Sequence, residues 1–259
     1  MNFRRCIGIA LCVFVCFSPS FSFAQDNETL FQVSTIDALL NGVYDGSATC
    51  GDLKKHGDLG IGTFNGLDGE MVVYGGAVYQ VRYDGSVKKV PDAETTPFAA
   101  VTHFENDTTV DLRNVSSLKS LCDMLDRSLT TTNVFYAILV EGEFEYIKTR
   151  SVPKQQKPYP PLVEVVKKQS VFEFHNRKGV IVGFRCPDFV KGVNVPGYHL
   201  HFLTDDHSAG GHLLDVRAKA IKVAVDLTPR FYMVLPELDS FYSTNLNKDR
   251  QKELDKVEK

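Results

Sequence analysis

The sequence predicts an α+β protein of two subdomains, each rich in antiparallel or mixed β-sheet. Three observations point there. Short strand-like runs, separated by Gly, Asp and Pro turn signals, recur from Gly60 to Leu235. Only two segments ahead of the polar C-terminal stretch read as helices. A proline cluster, Pro153, Pro158, Pro160 and Pro161, interrupts the chain and reads as a connection between two packed halves.

In chain order, residues 1–24 are expected to lie outside the fold. Arg4 and Arg5 precede an apolar run from Cys6 to Phe17, and Ser22-Phe23-Ala24 offers a small-residue cleavage site. That is the layout of a secretory signal peptide, and the run is too short to span a membrane, which takes about 20 residues. The mature chain is expected to begin near Gln25, to be exported to the periplasm or the medium, and to carry a net charge of −5 once Arg4 and Arg5 are gone, leaving 27 basic against 32 acidic residues.

Ser34 to Asn41 reads as a short helix, with Ser34 and Asp37 as a capping box and Gly42 as its stop. Met71–Tyr74 and Ala77–Tyr83 flank Gly75-Gly76, a two-residue hairpin signal, and Asp84-Gly85 is a further turn. Ser116 to Leu129 places Leu118, Leu121, Cys122, Leu125 and Leu129 on one helical face. Val134–Glu141 and Phe144–Lys148 read as a hairpin around Gly142. Beyond the prolines, strands are expected at Phe172–His175, Val180–Arg185, Tyr198–Thr204, His212–Val216, Lys219–Leu227 and Arg230–Leu235. Asn245 to Lys259 is polar with helical propensity. The expected division is a mixed-sheet subdomain over residues 25–155, a small β-barrel carrying the metal site over 156–244, and a helical tail over 245–259.

Composition limits the function. With 43% hydrophobic and 24% charged residues, the 259-residue chain can bury a sizeable core, which excludes disorder throughout. A net charge of −3 without a basic block argues against a nucleic-acid binder, leaving a small molecule or a second copy as the expected partner. Cys50, Cys122 and Cys186 are the only cysteines after the leader; an odd count is no disulfide framework, and no CxxC spacing offers a metal site. Cys122, among leucines, reads as a buried, inert thiol.

Four of the seven histidines fall between positions 199 and 212. His199 and His201 sit two apart, so on a strand they face the same side. Asp205 to Gly211 is rich in turn formers, so the strand from His212 can return beside the first and bring a third imidazole. Three neutral imidazoles suit zinc and leave a fourth position open, as catalytic sites do. His207 is a candidate fourth ligand, although a loop tip favours a solvated residue.

The segment Gly197-Tyr198-His199-Leu200-His201-Phe202-Leu203-Thr204-Asp205-Asp206, followed by Gly210-Gly211-His212, closely resembles the metal segment of α-acetolactate decarboxylases. So do the run from Gly62 to Met71 and the run from Thr149 to Gln155, which continues to Pro161. The resemblance covers nearly all of the mature chain, in the family's order and spacing. It implies one zinc per chain held by His199, His201 and His212, with Glu70 and Arg150 projecting into the same cavity. It also implies a tail glutamate folding back to the metal, either Glu258, placed by its distance from His212, or Glu253. By sequence alone Glu70 is a turn residue and Arg150 a surface charge.

The implied reaction is decarboxylation of 2-acetolactate to acetoin and CO2. The substrate is a β-keto acid, so a cation on its ketone oxygen supplies the electron sink, stabilises an enediolate and makes an organic cofactor unnecessary. Arg150 can hold the departing carboxylate or steer the proton that completes acetoin, and Glu70 and the tail glutamate are suited to relaying that proton. A homodimer is expected. Two rival readings exist. A cupin-like metal oxygenase would carry a Glu soon after His-x-His, where Asp205 and Asp206 stand instead. A non-enzymatic exported metal-binding protein would need a closed shell, with a fourth ligand such as His207.

Overall fold

The computed structural model describes residues 27–258. The expected signal peptide, with Cys6, Cys12 and Cys16, lies outside the described residues. The strands are β1 (Thr29–Val33), β2 (Ala48–Thr49), β3 (Leu59–Thr63), β4 (Glu70–Tyr74), β5 (Ala77–Val81), β6 (Val87–Lys89), β7 (Thr95–Thr96), β8 (Ala99–Thr102), β9 (Thr108–Val115), β10 (Phe135–Ser151), β11 (Ser170–Cys186), β12 (Gly197–Thr204), β13 (Gly210–Thr228) and β14 (Arg230–Val234). The helices are α1 (Ile36–Leu40), α2 (Cys50–Lys54), α3 (Leu118–Ser128), α4 (Leu162–Val165), α5 (Asp239–Tyr242) and α6 (Gln251–Glu258).

Two large sheets organise most of them, with β2 and β7 pairing separately, and the α+β reading holds. One is a seven-stranded mixed sheet in the order β14-β1-β8-β3-β4-β5-β6, whose β1–β14 pair is parallel and whose other pairs are antiparallel. The other runs β10-β11-β12-β13-β9, and β10 also pairs with β13, so the pairings of β10 to β13 close into a circuit. Strand membership crosses the boundary expected at residue 155. Strands β9 and β10 precede it yet pair in the second sheet, and β14 follows it yet pairs in the first.

The period of two along the strands explains how the sheets stack. Phe135 and Ala137 of β10, with Val180, Val182 and Phe184 of β11, pack against Leu30, Leu59, Ile61, Val72 and Ala100 of the first sheet. The intervening Tyr136, Ile138, Val140 and Ile181 point to the opposite side, where they pack with Phe202, Leu213, Val216 and the buried face of α3. Burial of this kind stabilises by roughly 25 cal/mol per Å2 of apolar surface.

Several local expectations need correction. The hairpin around Gly142 is absent: β10 runs unbroken for 17 residues because Gly142 lies opposite Gly179 in a continuous β10–β11 ladder. Likewise the two runs 172–175 and 180–185 are one strand, as are 212–216 and 219–227. The cap of α1 is Thr35, whose hydroxyl accepts the Ala38 N–H at 3.2 Å, since Ser34 turns to φ 64° and leaves the capping position. The Gly75-Gly76 hairpin forms as expected between β4 and β5. Helix α3 is capped by Ser117 and buries Leu121 and Leu125, while Cys122 is only half-buried. All three described cysteines are free thiols.

Candidate metal and active site

The site is assembled by strand register. His201 of β12 lies directly opposite His212 of β13, and His212 lies opposite Arg150 of β10. His199 follows from the two-residue period. The Gly-Gly preceding His212 has a steric purpose: a Cβ on Gly211 would sit 2.5 Å from the Arg150 carbonyl oxygen, so only glycine lets β13 lie this close to β10. Gly183 does the same for β12, where a Cβ would meet the His199 carbonyl oxygen at 2.1 Å.

The three imidazoles are buried, and one potential ligand atom from each lies within 4.8 Å of the others. His201 Nδ1 lies 2.7 Å from the Met71 carbonyl oxygen on β4, a contact across the two sheets that leaves Nε2 for another partner. His199 Nδ1, His201 Nε2 and His212 Nδ1 are buried nitrogens without a hydrogen-bond partner. Unpartnered buried polar atoms are costly, so one on each of three clustered imidazoles fits a bound cation. Burial, reinforced by Arg150, holds the His199 pKa down at about 3, and burial likewise pushes His201 and His212 well below their ordinary value. All three are therefore neutral near pH 7, the form that ligates metals.

Two carboxylates and one guanidinium complete the cluster. Glu70 is no turn residue: it opens β4 and is buried. Arg150, expected at the surface from sequence alone, is 4% exposed. Its Nη1 donates to Glu70 Oε1 at 2.7 Å, and its Nη2 donates to the Val257 carbonyl at 3.2 Å and lies 3.9 Å from Glu258 Oε1. Glu258 Oε2 is 3.4 Å from His199 Nε2 and 3.8 Å from His212 Nε2, and Glu70 Oε2 is 3.8 Å from His201 Nε2. Burial lifts both carboxyls to about 7 against the opposing pull of Arg150.

The structure thus gathers His199, His201, His212, Glu70, Arg150 and Glu258, and leaves the other candidates out. His207 is exposed in the β12–β13 turn with its ring 4.5 Å from that of Tyr79, so it is not a fourth ligand. Asp205 and Asp206 are exposed in the same turn. Glu253 accepts from Arg250 at 2.6 Å instead of reaching the histidines. Sequence reasoning missed the backbone partners, the carbonyls of Met71 and Val257, which no residue type announces. Ile36, Leu39, Leu67, Phe98, Val152 and Leu162 supply apolar walls to a cavity of about 30 Å3 beside the cluster.

Comparison with known proteins places the chain in a family. The profile of the family described as alpha-acetolactate decarboxylase matches residues 30–248. A Methanosarcina mazei alpha-acetolactate decarboxylase is 53% identical over 90% of this chain and 81% of its own length. One from Methylococcus capsulatus is 44% identical over 90% of each. The crystal structure of alpha-acetolactate decarboxylase from Bacillus subtilis strain 168 superposes with a TM-score of 0.86 at 37% identity, covering 89% of this chain and 99% of that one. The profile match ends before α6, the helix that carries Glu258. With its length, its fold and the segments carrying Glu70, Arg150 and the three histidines all inside the match, the chain belongs to the alpha-acetolactate decarboxylase family.

Proposed function

We propose that this chain converts 2-acetolactate to acetoin and CO2 with one zinc ion held by His199, His201 and His212. The observation that carries the reading is the cluster of three buried imidazoles, each with an unpartnered ring nitrogen and each offering a ligand atom within 4.8 Å of the others, beside the Glu70–Arg150–Glu258 cluster. Zinc bound there would act as a Lewis acid on the substrate ketone, the electron sink that loss of CO2 requires, and would stabilise the enediolate.

The protein's own groups have separable tasks. Arg150 is fixed between Glu70 and Glu258 and supplies permanent positive charge where the substrate carboxylate must sit. The apolar walls exclude water, which strengthens each of these interactions. Glu70 and Glu258 lie on opposite sides of the guanidinium, so one or both can hold the proton that completes acetoin. In the same reading the closed circuit of β10 to β13 is a small barrel bearing the metal, the protein is a homodimer, and the mature chain is exported after cleavage near Ala24.

The test is direct. Purified protein should release acetoin from 2-acetolactate, lose that activity to a zinc chelator and regain it when zinc is restored. Full activity after the metal has been stripped would overturn the zinc assignment, and absence of acetoin from the zinc-loaded protein would overturn the reaction.

A further inference from the structure

The cavity beside the histidines, about 30 Å3, is too small for the proposed substrate. A cavity takes about 10–15 Å3 to hold one water; a five-carbon keto acid does not fit. Glu258 lines this cavity and also a cleft of about 860 Å3 bounded by Tyr198, Asp215, Gln251 and Asp255. Glu258 thus borders both spaces, and a displacement of α6, which carries it, would join them.

Helix α6 has eight residues, and only Leu254 and Val257 are buried, among Ile36, Leu39, Leu40 and Leu162. A helix this short is not stable alone in water, so its order depends on what holds its ends. At the C-terminal end Arg150 donates to the Val257 carbonyl. At the N-terminal end stands Arg250, the residue just before the helix, with a side chain 15% exposed. Its Nη1 donates to Glu253 Oε2 at 2.6 Å, and its Nη2 donates to Asn41 Oδ1 at the end of α1. Asn41 Nδ2 in turn donates to the Asp37 carbonyl at 2.7 Å, and the Arg250 carbonyl accepts the N–H groups of Glu253 and Leu254 at 2.9 Å. One guanidinium thus bonds both the first turn of α6 and the end of α1.

We propose that Arg250 is a positioning residue: it clamps α6 to α1, sets Glu258 against the three histidines, and governs the opening that connects the inner cavity to the outer cleft. The inference rests on the decarboxylase reading for its kinetic consequences but not for the clamp itself. From Arg250 to Glu258 is about 12 Å along the helix at 1.5 Å per residue, so Arg250 acts on the chemistry only through Glu258.

The experiment compares Arg250→Ala, Arg250→Lys and Asn41→Ala with the parent protein, zinc-loaded and metal-free. Hydrogen exchange of the C-terminal peptide should speed up at least about 10-fold in Arg250→Ala and less in the other two, with exchange in β10 to β13 unchanged. In the loaded enzyme kcat should fall at least about 10-fold with KM within about threefold, and Arg250→Lys should recover part of the loss. In a Glu258→Gln background the same Arg250→Ala change should cost less than about twofold, as residues acting in series require. Parent-like protection of the tail in Arg250→Ala overturns the clamp. An equal loss of kcat in both backgrounds overturns action through Glu258. A fully active Glu258→Gln enzyme would instead remove Glu258 from the proposed mechanism, and the exchange rates would still decide the clamp.

Discussion

Replacing Arg150 with lysine keeps the charge and removes the planar fork. In the native site one nitrogen donates to Glu70 at 2.7 Å and the other to the Val257 carbonyl at 3.2 Å, while Glu258 stands 3.9 Å away. A single ammonium serves one of these partners and strands the other. With Arg150 only 4% exposed, water does not take its place. A hydrogen bond involving a charged group contributes about 1.5–3 kcal/mol, so the lysine variant forfeits about 2–3 kcal/mol. Expressed wholly in the transition state, that is about 30- to 150-fold in kcat/KM. Arg150→Lys should therefore fold, keep about one zinc per chain, and lose about 100-fold in acetoin formation. Glu70→Gln is the companion: its amide oxygen still accepts from Arg150, but it can neither ionise nor carry a proton. It should lose at least about 100-fold in turnover, the scale of lost acid–base assistance, with a smaller change in stability. Initial rates, zinc content and thermal unfolding measured on one preparation decide the matter. Near-normal turnover would remove both residues from the mechanism, and loss of zinc or of folding would return them to a structural role.

Three further outcomes are expected. Metal analysis of the purified protein should give about one zinc per chain, since three imidazoles make one site, and a His199→Ala, His201→Ala double variant should retain none; full occupancy in that variant would refute the ligand set. Asp226 is 1% exposed, and burial raises its carboxyl from 3.8 to about 7 despite the Glu105 N–H it accepts at 3.1 Å. The folded chain then binds a proton that the unfolded chain has lost, so this group's contribution to stability is fully present below about pH 4 and drains away as pH rises through 7, by at most about 4 kcal/mol. Asp226→Asn should be more stable than the parent at pH 8, with the gap closing towards pH 4.5 in urea titrations; a gap independent of pH would refute the assignment. Finally, N-terminal sequencing of exported protein should begin near Gln25, and an intact Met1 on protein confined to the cytoplasm would contradict the signal peptide.

How much of this was legible in the sequence depended on how local each cause is. The period of two placed His199 and His201 on one face, and the turn formers after Asp205 implied the return of His212; register then pairs His201 with His212. The same reliance on local signals produced the errors. Gly142 reads as a hairpin turn, yet it faces Gly179 across the β10–β11 ladder and the pairing continues. The partnership of β14 with β1 joins residues about 200 apart in the chain, and neither segment carries a local sign of the other.

The tail shows the limit most clearly. A penultimate glutamate on a polar segment ordinarily belongs to a frayed end, and only the family resemblance selected Glu258 as a candidate. What makes its position possible is distributed over residues that look unremarkable one at a time. Leu254 and Val257 bury one face of α6, Arg250 joins its start to Asn41, and Arg150 binds its final turn through a backbone carbonyl. Glu70 repeats the pattern: Gly69 before it reads as a turn, but the next residue already belongs to β4, and pairing with Thr63 and Val81 carries its side chain inward to Arg150. Three clustered imidazoles can be written into the fourteen residues from His199 to His212 because one strand turn aligns them. The charges that act beside them must come from other elements, since a buried arginine needs carboxylates and carbonyls converging from several directions. Their positions are therefore a property of the assembled sheets and the docked tail.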